Sequence, residues 1–183
     1  PFGAPRPDEE LGWLAAALDH CAYEAQWRIP GYSLWSEARD PAPVYAEFAR
    51  LLATDAATRG NADRPRVLKV PQFAEDLPAL LARFPQARVV VARRDQEDVV
   101  ASAVSLVANQ RAMQSASPEL GCIEAECRRK VALREQRMAE ALARFSGPCA
   151  EADFAALDAD WEGEMTHAYQ ALGLPLTPAA LAA

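Results

Sequence analysis

The sequence is poor in the residues that build metal sites and disulfide scaffolds. It has two histidines and four cysteines in 183 residues, and no two cysteines stand in a CxxC spacing. Neither a structural zinc site nor a disulfide framework is therefore expected, and no metal is predicted. Reduced thiols in a cytoplasmic protein are the plain interpretation.

Positive charge is also scarce, because 19 basic residues stand against 26 acidic ones, a net charge of −7. This balance argues against a nucleic acid or an anionic membrane as a partner, so any anion must bind in a local basic pocket. No apolar run is long enough to span a bilayer, and no signal peptide is recognisable. The length predicts a single domain, 1–183.

Lysine is as rare as histidine, and one of only two lysines, Lys69, closes the apolar run at residues 66–70. Arg93 and Arg94 close a second apolar run at residues 88–92. Ligands of open parallel sheets bind outside the carboxyl ends of the strands. Two cationic strand ends therefore predict an anion site, most simply one for a phosphate.

Strands alternate with helices along the chain, which predicts an α/β fold with a parallel sheet. A helix opened by the acids at residues 8–10, with Leu11, Leu14, Ala15 and Leu18 as its apolar face, starts the series. Pro30-Gly31 breaks the chain after it. The remaining predicted elements are helices near 41–57, 74–84, 96–113, 118–145 and 160–172, and strands at 66–70, 88–92 and 149–154.

The helix after the second strand has a narrow polar stripe. Asp95 suits its N-cap and Asp98 its N3 position. Most other positions are apolar, which predicts a largely buried helix. The stripe is about 60° wide at 100° per residue; its members are Asp98, Ser102, Ser105 and Asn109. It faces either solvent or a polar ligand.

Arg94 and Ser102 are candidate ligands of one phosphate. A guanidinium can fork onto a phosphate through two hydrogen bonds, and the serine hydroxyl adds a neutral donor. Ser102 lies about 9 Å along the helix, so such a phosphate would lie beside the helix flank and not on its N-terminus. The plainer alternative for Arg94 is a surface ion pair with Asp95 or Glu97.

Three motifs in the middle of the chain resemble those of sulfotransferases that use PAPS (3′-phosphoadenosine 5′-phosphosulfate). The bacterial branch of that family has the patterns LKxPxH, FPxAxxV and RDPxxVxxS. The corresponding segments here are LKVPQF at 68–73, FPQARVV at 84–90 and RDQEDVVAS at 94–102. Weaker similarity extends to residues 29–35, 153–157 and 168–175, so the resemblance spans nearly the whole chain in order.

The resemblance implies a P-loop nucleoside triphosphate hydrolase-like fold, with helices flanking a parallel sheet. It implies transfer of a sulfuryl group from PAPS to a hydroxyl or amine of a small-molecule, saccharide or peptide acceptor, with PAP as product. Arg94 and Ser102 would bind the 3′-phosphate, and Lys69 would be catalytic. An ammonium beside the leaving oxygen would stabilise the charge that develops there; alternatively, Lys69 only extends from a strand end into solvent.

The family's histidine, a general base in the first motif, is Phe73 here. Glu75 and Asp76 follow it, but they also suit the first turn of a helix. His20 and His167 are distant in sequence and are more often structural. A glutamate outside this sequence is a further candidate for the base.

The family's glycine-rich phosphate loop has no counterpart, since none of the eight glycines stands in a GxxxxGK[ST] pattern. We expect a single sulfotransferase-like domain that lacks the family's N-terminal strand and phosphate loop. A non-catalytic, nucleotide- or partner-binding relative is therefore an alternative function. A P-loop kinase ranks third, because no Walker lysine or magnesium-binding Ser/Thr is recognisable.

Two further segments carry open alternatives. The aromatic residues between 23 and 48 belong either to the core or to an acceptor pocket. The long helix predicted at 118–145 has charges at i, i+4 spacing, which favours a solvated face and, second, a homodimer contact. The expected ion pairs are Glu124–Arg128, Glu126–Lys130 and Glu140–Arg144.

Overall fold

A computed structural model describes residues 10–27, 29–115, 119–177 and 181. Within them, helices surround a small parallel sheet. The helices are α1 Leu11–Ala16, α2 Cys21–Trp27, α3 Pro30–Ala38, α4 Ala42–Arg59, α5 Phe73–Arg83, α6 Gln96–Ala112, α7 Leu120–Leu142, α8 Phe154–Ala159 and α9 Trp161–Ala171. Strands β1 Val89–Arg93 and β2 Cys149–Asp153 pair in parallel. None of these helices combines the length and apolar character needed to cross a bilayer.

The predicted alternation of strands and helices is confirmed from α4 onward, with one exception. Residues 66–70, predicted as a strand, form no regular structure. A strand needs a neighbour to receive its backbone hydrogen bonds. The two strands in the described residues pair with each other, and the Lys69 N–H instead donates to Glu10 Oε2 at 2.9 Å.

The chain before α4 differs from the prediction in two places. Helix α1 ends at Ala16, and Leu18 lies beyond it with a φ of 55° and 71% of its surface exposed, so it is not part of the apolar face. Pro30 begins α3, because a proline is tolerated where no helical N–H partner is needed. The acids at positions 8 and 9 lie outside the described residues.

The main core lies between α1, α4 and α5. Its buried members are Leu14, Tyr45, Phe48, Leu52, Val70 and Phe73. The Phe73 ring packs 6.0 Å from Phe48 and 6.2 Å from Tyr45, measured between ring centroids. The residue at the motif's histidine position is therefore a structural part of the core.

Helix α6 packs on α7 through Val107, which contacts Ile123 and Cys127. Its opposite face is exposed, and Leu106 is 60% accessible. The prediction of a largely buried helix was wrong, because the described elements cover only one side of α6. The polar stripe lies on the exposed side.

Helix α7 is held to α2, α3 and α5 by ion pairs. Lys130 Nζ lies 2.6 Å from Glu24, 2.7 Å from Glu75 and 3.2 Å from Glu37, and its side chain is 11% exposed. Of the three predicted pairs, Glu124–Arg128 forms at 3.4 Å. The other two do not form within the described residues: Glu126 pairs with Arg111 on α6, and Glu140 accepts a hydrogen bond from Gln136 of the same helix.

Candidate functional site

Arg94 and Phe154 meet at the carboxyl edge of the sheet. The parallel register aligns Arg93 with Asp153, so the residues that follow each strand are neighbours. The Arg94 guanidinium carbon lies 4.9 Å from the centroid of the Phe154 ring. Sequence reasoning did not single out Phe154, although the parallel strand order would have placed it beside Arg94.

Two carboxylates cap the helices that leave this edge. Asp95 accepts hydrogen bonds from the N–H groups of Glu97 at 2.9 Å and Asp98 at 3.2 Å, which confirms the predicted N-cap. Asp153 accepts one from Ala156 at 2.9 Å and caps α8. These caps fix the backbone on both sides of the Arg94–Phe154 contact.

The Arg94 side chain is loosely held and 39% exposed. Its Nε lies 3.8 Å from Asp98 Oδ2, which is long for a charged hydrogen bond. The expected surface pairs with Asp95 or Glu97 do not form, because Asp95 caps α6 and Glu97 pairs with Arg128 at 2.6 Å. Arg93 pairs tightly with Glu151, at 2.5 Å. Arg94 is therefore the arginine at this strand end that remains open to a ligand.

Ser102 lies on the exposed stripe of α6, one helical turn beyond Asp98. Its hydroxyl forms no hydrogen bond within the described residues. Arg94 reaches toward the start of the stripe through Asp98, and Ser102 follows about 6 Å further along the helix. Both residues are exposed.

Lys69 is exposed on the irregular segment before α5. The backbone N–H of Lys69 is hydrogen-bonded to Glu10. Both the oxygen and the nitrogen of the Gln72 side-chain amide are also hydrogen-bonded. Gln72 Oε1 accepts from Cys21 N at 2.8 Å, and its Nε2 donates to Asp19 Oδ1 at 3.0 Å. The Lys69 segment is thus anchored to the helices at the start of the described chain.

Several residues considered for general base are committed to other contacts. Glu75 pairs with Lys130 and Arg134, and Asp76 pairs with Arg39. Both carboxylates are buried. They therefore do more than favour the first turn of α5: they hold it to α7 and α3.

His20 is also unsuited to accept a proton. Its Nδ1 accepts the Ala22 N–H at 2.9 Å, so in the neutral ring the hydrogen sits on Nε2. Burial lowers the pKa of His20, which favours this neutral form. His167 is exposed on α9.

The aromatic residues divide into two groups. Tyr45 and Phe48 are core residues. The others form a partly exposed ladder on α2 and α3, in which the Tyr23 and Trp27 rings stack at 4.5 Å and the Tyr32 and Trp35 rings lie 5.4 Å apart. The Tyr23 and Tyr32 rings join the two pairs at 6.1 Å.

The aromatic ladder begins beside the Lys69 segment. His20 stacks on Tyr23 at 5.2 Å, and the next residue, Cys21, is bonded to Gln72. A flat apolar surface is thus adjacent to a fixed cationic segment. No cluster of three or more His, Cys, Asp or Glu side chains suited to a metal ion occurs in the described part of the chain.

Comparison with known proteins places this geometry in context. A family model described as "Sulfotransferase family" matches residues 1–178. The crystal structure of sulfotransferase STF1 from Mycobacterium tuberculosis H37Rv (type 1 form) is similar, with a TM-score of 0.87 and 26% sequence identity. The match covers 100% of this chain and 50% of that one, so the chain spans about half the length of that structure. Curated proteins give no significant match. The predicted α/β fold of the sulfotransferase type is confirmed.

Proposed function

Because this chain belongs to the sulfotransferase family, we propose that it transfers a sulfuryl group from PAPS to a hydroxyl or amine acceptor. The observation that carries the proposal is the partly exposed Arg94 side chain, which lies at the carboxyl edge of the sheet and stacks on Phe154. That edge is where ligands of open parallel sheets bind. We place the reaction in the cytoplasm, which suits the four free cysteines.

Arg94 and Ser102 would bind the 3′-phosphate of PAPS. A phosphate dianion forms shorter and stronger hydrogen bonds with a guanidinium than the 3.8 Å contact to Asp98, and would replace it. Phe154 supports the flat face of the guanidinium and leaves its N–H edge available. The exposed Ser102 hydroxyl can then donate from the flank of α6.

Lys69 would stabilise charge on the oxygen that leaves the sulfuryl group. Sulfuryl transfer, like phosphoryl transfer, depends on in-line positioning and charge stabilisation. The backbone of Lys69 is tied to Glu10, and Gln72 ties the same segment to Asp19 and to Cys21 of α2. A cation carried on a fixed segment loses little energy to reorganisation during the reaction.

Glu10 is our candidate for the residue that takes the acceptor proton. One of its oxygens accepts the Lys69 N–H, which leaves the other oxygen beside the same segment. Phe73 cannot accept a proton, and the Nδ1 of His20 is already occupied. The aromatic ladder next to this segment would bind the flat apolar part of the acceptor.

A non-catalytic nucleotide-binding protein is the second candidate function. Its support is Phe73, which fills the motif's histidine position as a core residue. Such a protein would bind PAP through Arg94 without turning over PAPS.

Thermal unfolding with and without PAP tests the nucleotide site. PAP at 100 times its dissociation constant should add about 2.7 kcal/mol of stability, or about 5–11 °C for a chain of this size. Arg94→Ala should abolish the shift. Arg50→Ala, which changes an exposed arginine on α4, should retain it. A wild-type protein whose unfolding PAP does not change would contradict the nucleotide site.

Transfer of labelled sulfate from PAPS to a panel of phenols then separates the two functions. Turnover that falls at least about 100-fold in Lys69→Ala, with PAP binding retained, would support catalysis. Glu10→Gln should lower kcat by about 100-fold or more with little change in KM. PAP binding without turnover would instead support the binding protein.

A further inference from the structure

A cavity of about 710 Å³ lies on the helical flank of the protein. Its walls come from α5, the C-terminal part of α7 and the junction of α3 and α4. This volume is within the range of small-molecule sites. Lys69, Arg94 and Ser102 are not among its lining residues.

One end of the cavity lies far from Arg94 and Phe154. Its walls include Ala82 near the end of α5 and Phe145 just after α7, and each of these helices leads by a short turn into a strand. The two strands then run for five residues, about 16 Å, before they reach Arg94 and Phe154. This end of the cavity therefore lies toward the amino edge of the sheet.

The carboxylates that line the cavity already have partners. Glu37 pairs with Arg129 at 2.8 Å, Glu75 with Lys130 at 2.7 Å and Asp76 with Arg39 at 2.7 Å. Asp40 accepts the Ala42 N–H at the start of α4. Glu140 accepts a hydrogen bond from Gln136 at 2.9 Å.

Two lining arginines have no such partner. Arg137 donates to the backbone carbonyl of Glu37 at 2.7 Å, which leaves its remaining N–H groups without a carboxylate from the described residues. Arg144 lies beyond the last residue of α7 and forms no ion pair within the same part of the chain. The predicted Glu140–Arg144 pair does not form, so both guanidinium groups on the α7 side of the cavity keep N–H groups that no carboxylate of the described residues accepts.

The rest of the wall is apolar. Pro41, Pro78, Leu81 and Phe145 contribute uncharged surface. A wholly inorganic anion would leave this surface in contact with water, whereas an uncharged apolar ligand would leave both guanidinium groups without an anionic partner. A ligand with an anionic group on a compact apolar body would bind both the guanidinium groups and the apolar wall.

We propose that this cavity is a second ligand site, for an organic anion with one sulfate, sulfonate or carboxylate group on a ring-sized apolar body. Arg137 and Arg144 bind the anionic group, and the proline, leucine and phenylalanine side chains contact the apolar body. Binding in this cavity does not require sulfuryl-transfer activity, because the cavity shares no residue with the proposed donor site.

Isothermal titration in the absence of PAP tests this site with 1-naphthyl sulfate, 1-naphthoate, 1-naphthol and inorganic sulfate. We expect at least one naphthyl anion to bind, and naphthol and inorganic sulfate to bind at least about ten-fold more weakly. Tighter binding of the sulfate ester than of the carboxylate would identify a sulfate monoester as the natural class of ligand; the reverse order would identify a carboxylate.

Variants locate the binding. Arg144→Gln should weaken it about ten-fold or more; this residue is exposed, so the fold should be retained. Ala82→Trp should abolish binding by filling the cavity without changing its charge. Arg50→Gln and Arg94→Ala should leave the affinity unchanged. The proposal is overturned if neither naphthyl anion binds, if Arg144→Gln and Ala82→Trp bind like the wild type, or if Arg94→Ala removes binding.

Discussion

Replacement of Arg39 by methionine should destabilise the protein strongly. The Arg39 guanidinium donates to Asp19 through Nε and to Asp76 through Nη2, the latter at 2.7 Å. The three side chains are 7%, 1% and 2% exposed. Methionine keeps much of the volume but removes the charge, so two carboxylates remain buried without a cation. Breaking a buried pair in this way costs about 3–5 kcal/mol.

Urea denaturation measures this loss. With a slope of about 2 kcal/mol per molar urea, the midpoint should fall by about 1.5–2.5 M. Arg50→Met is the matched control, because Arg50 and its partner Glu47 are 74% and 40% exposed. An exposed pair of this kind contributes less than about 1 kcal/mol.

A triple variant separates charge from packing. Arg39→Met combined with Asp19→Asn and Asp76→Asn removes the uncompensated charges and should regain part of the lost stability. A loss below about 1 kcal/mol in Arg39→Met would refute the reasoning. A triple variant no more stable than the single one would show that lost packing, and not unpaired charge, causes the effect.

Two further changes test the ion pairs of Glu37 and the core position of Phe73. A hydrogen bond from Arg129, opposed by burial and aided by the charge of Lys130, holds the pKa of Glu37 below its usual value of 4.5. Its contribution to stability is therefore present above the unfolded-state pKa and is lost as pH falls through the lower folded-state pKa. Glu37→Gln should flatten the decline of the unfolding free energy below pH 4.5, measured by urea denaturation at several pH values; an unchanged decline would contradict this. Phe73→His should lower the unfolding free energy by about 1–3 kcal/mol, because the imidazole enters an apolar core, and should create no base; a stable variant with increased sulfuryl transfer would contradict the structural role of Phe73.

The carboxyl edge of the sheet could be predicted from the sequence because its signals are local. The apolar run before Arg93 predicted β1, and Asp95 marked the start of α6. The strand predicted at residues 66–70 has the same local signal but is not formed. Whether an apolar run becomes a strand depends on a neighbouring strand, which the run itself does not specify.

The charged face of α7 could not be predicted for a related reason. Charges at i, i+4 spacing look the same on a solvated helix and on one that pairs with other elements. Lys130 illustrates the difference, since it pairs with residues on three other helices and not with Glu126. The candidate site residues Lys69, Arg94 and Ser102 stay predictions, and the local signal at the cavity residue Arg144 predicted a pair with Glu140 that does not form.

The position of Lys130 has a mechanical consequence. A single nitrogen atom touches one carboxylate from each of α2, α3 and α5, so these helices share a common anchor point. The helices that bear the aromatic rings and the one that follows Lys69 cannot slide past each other without breaking a buried contact. A ligand that binds to the aromatic ladder therefore meets a preorganised surface, and the helices joined at Lys130 move as one unit.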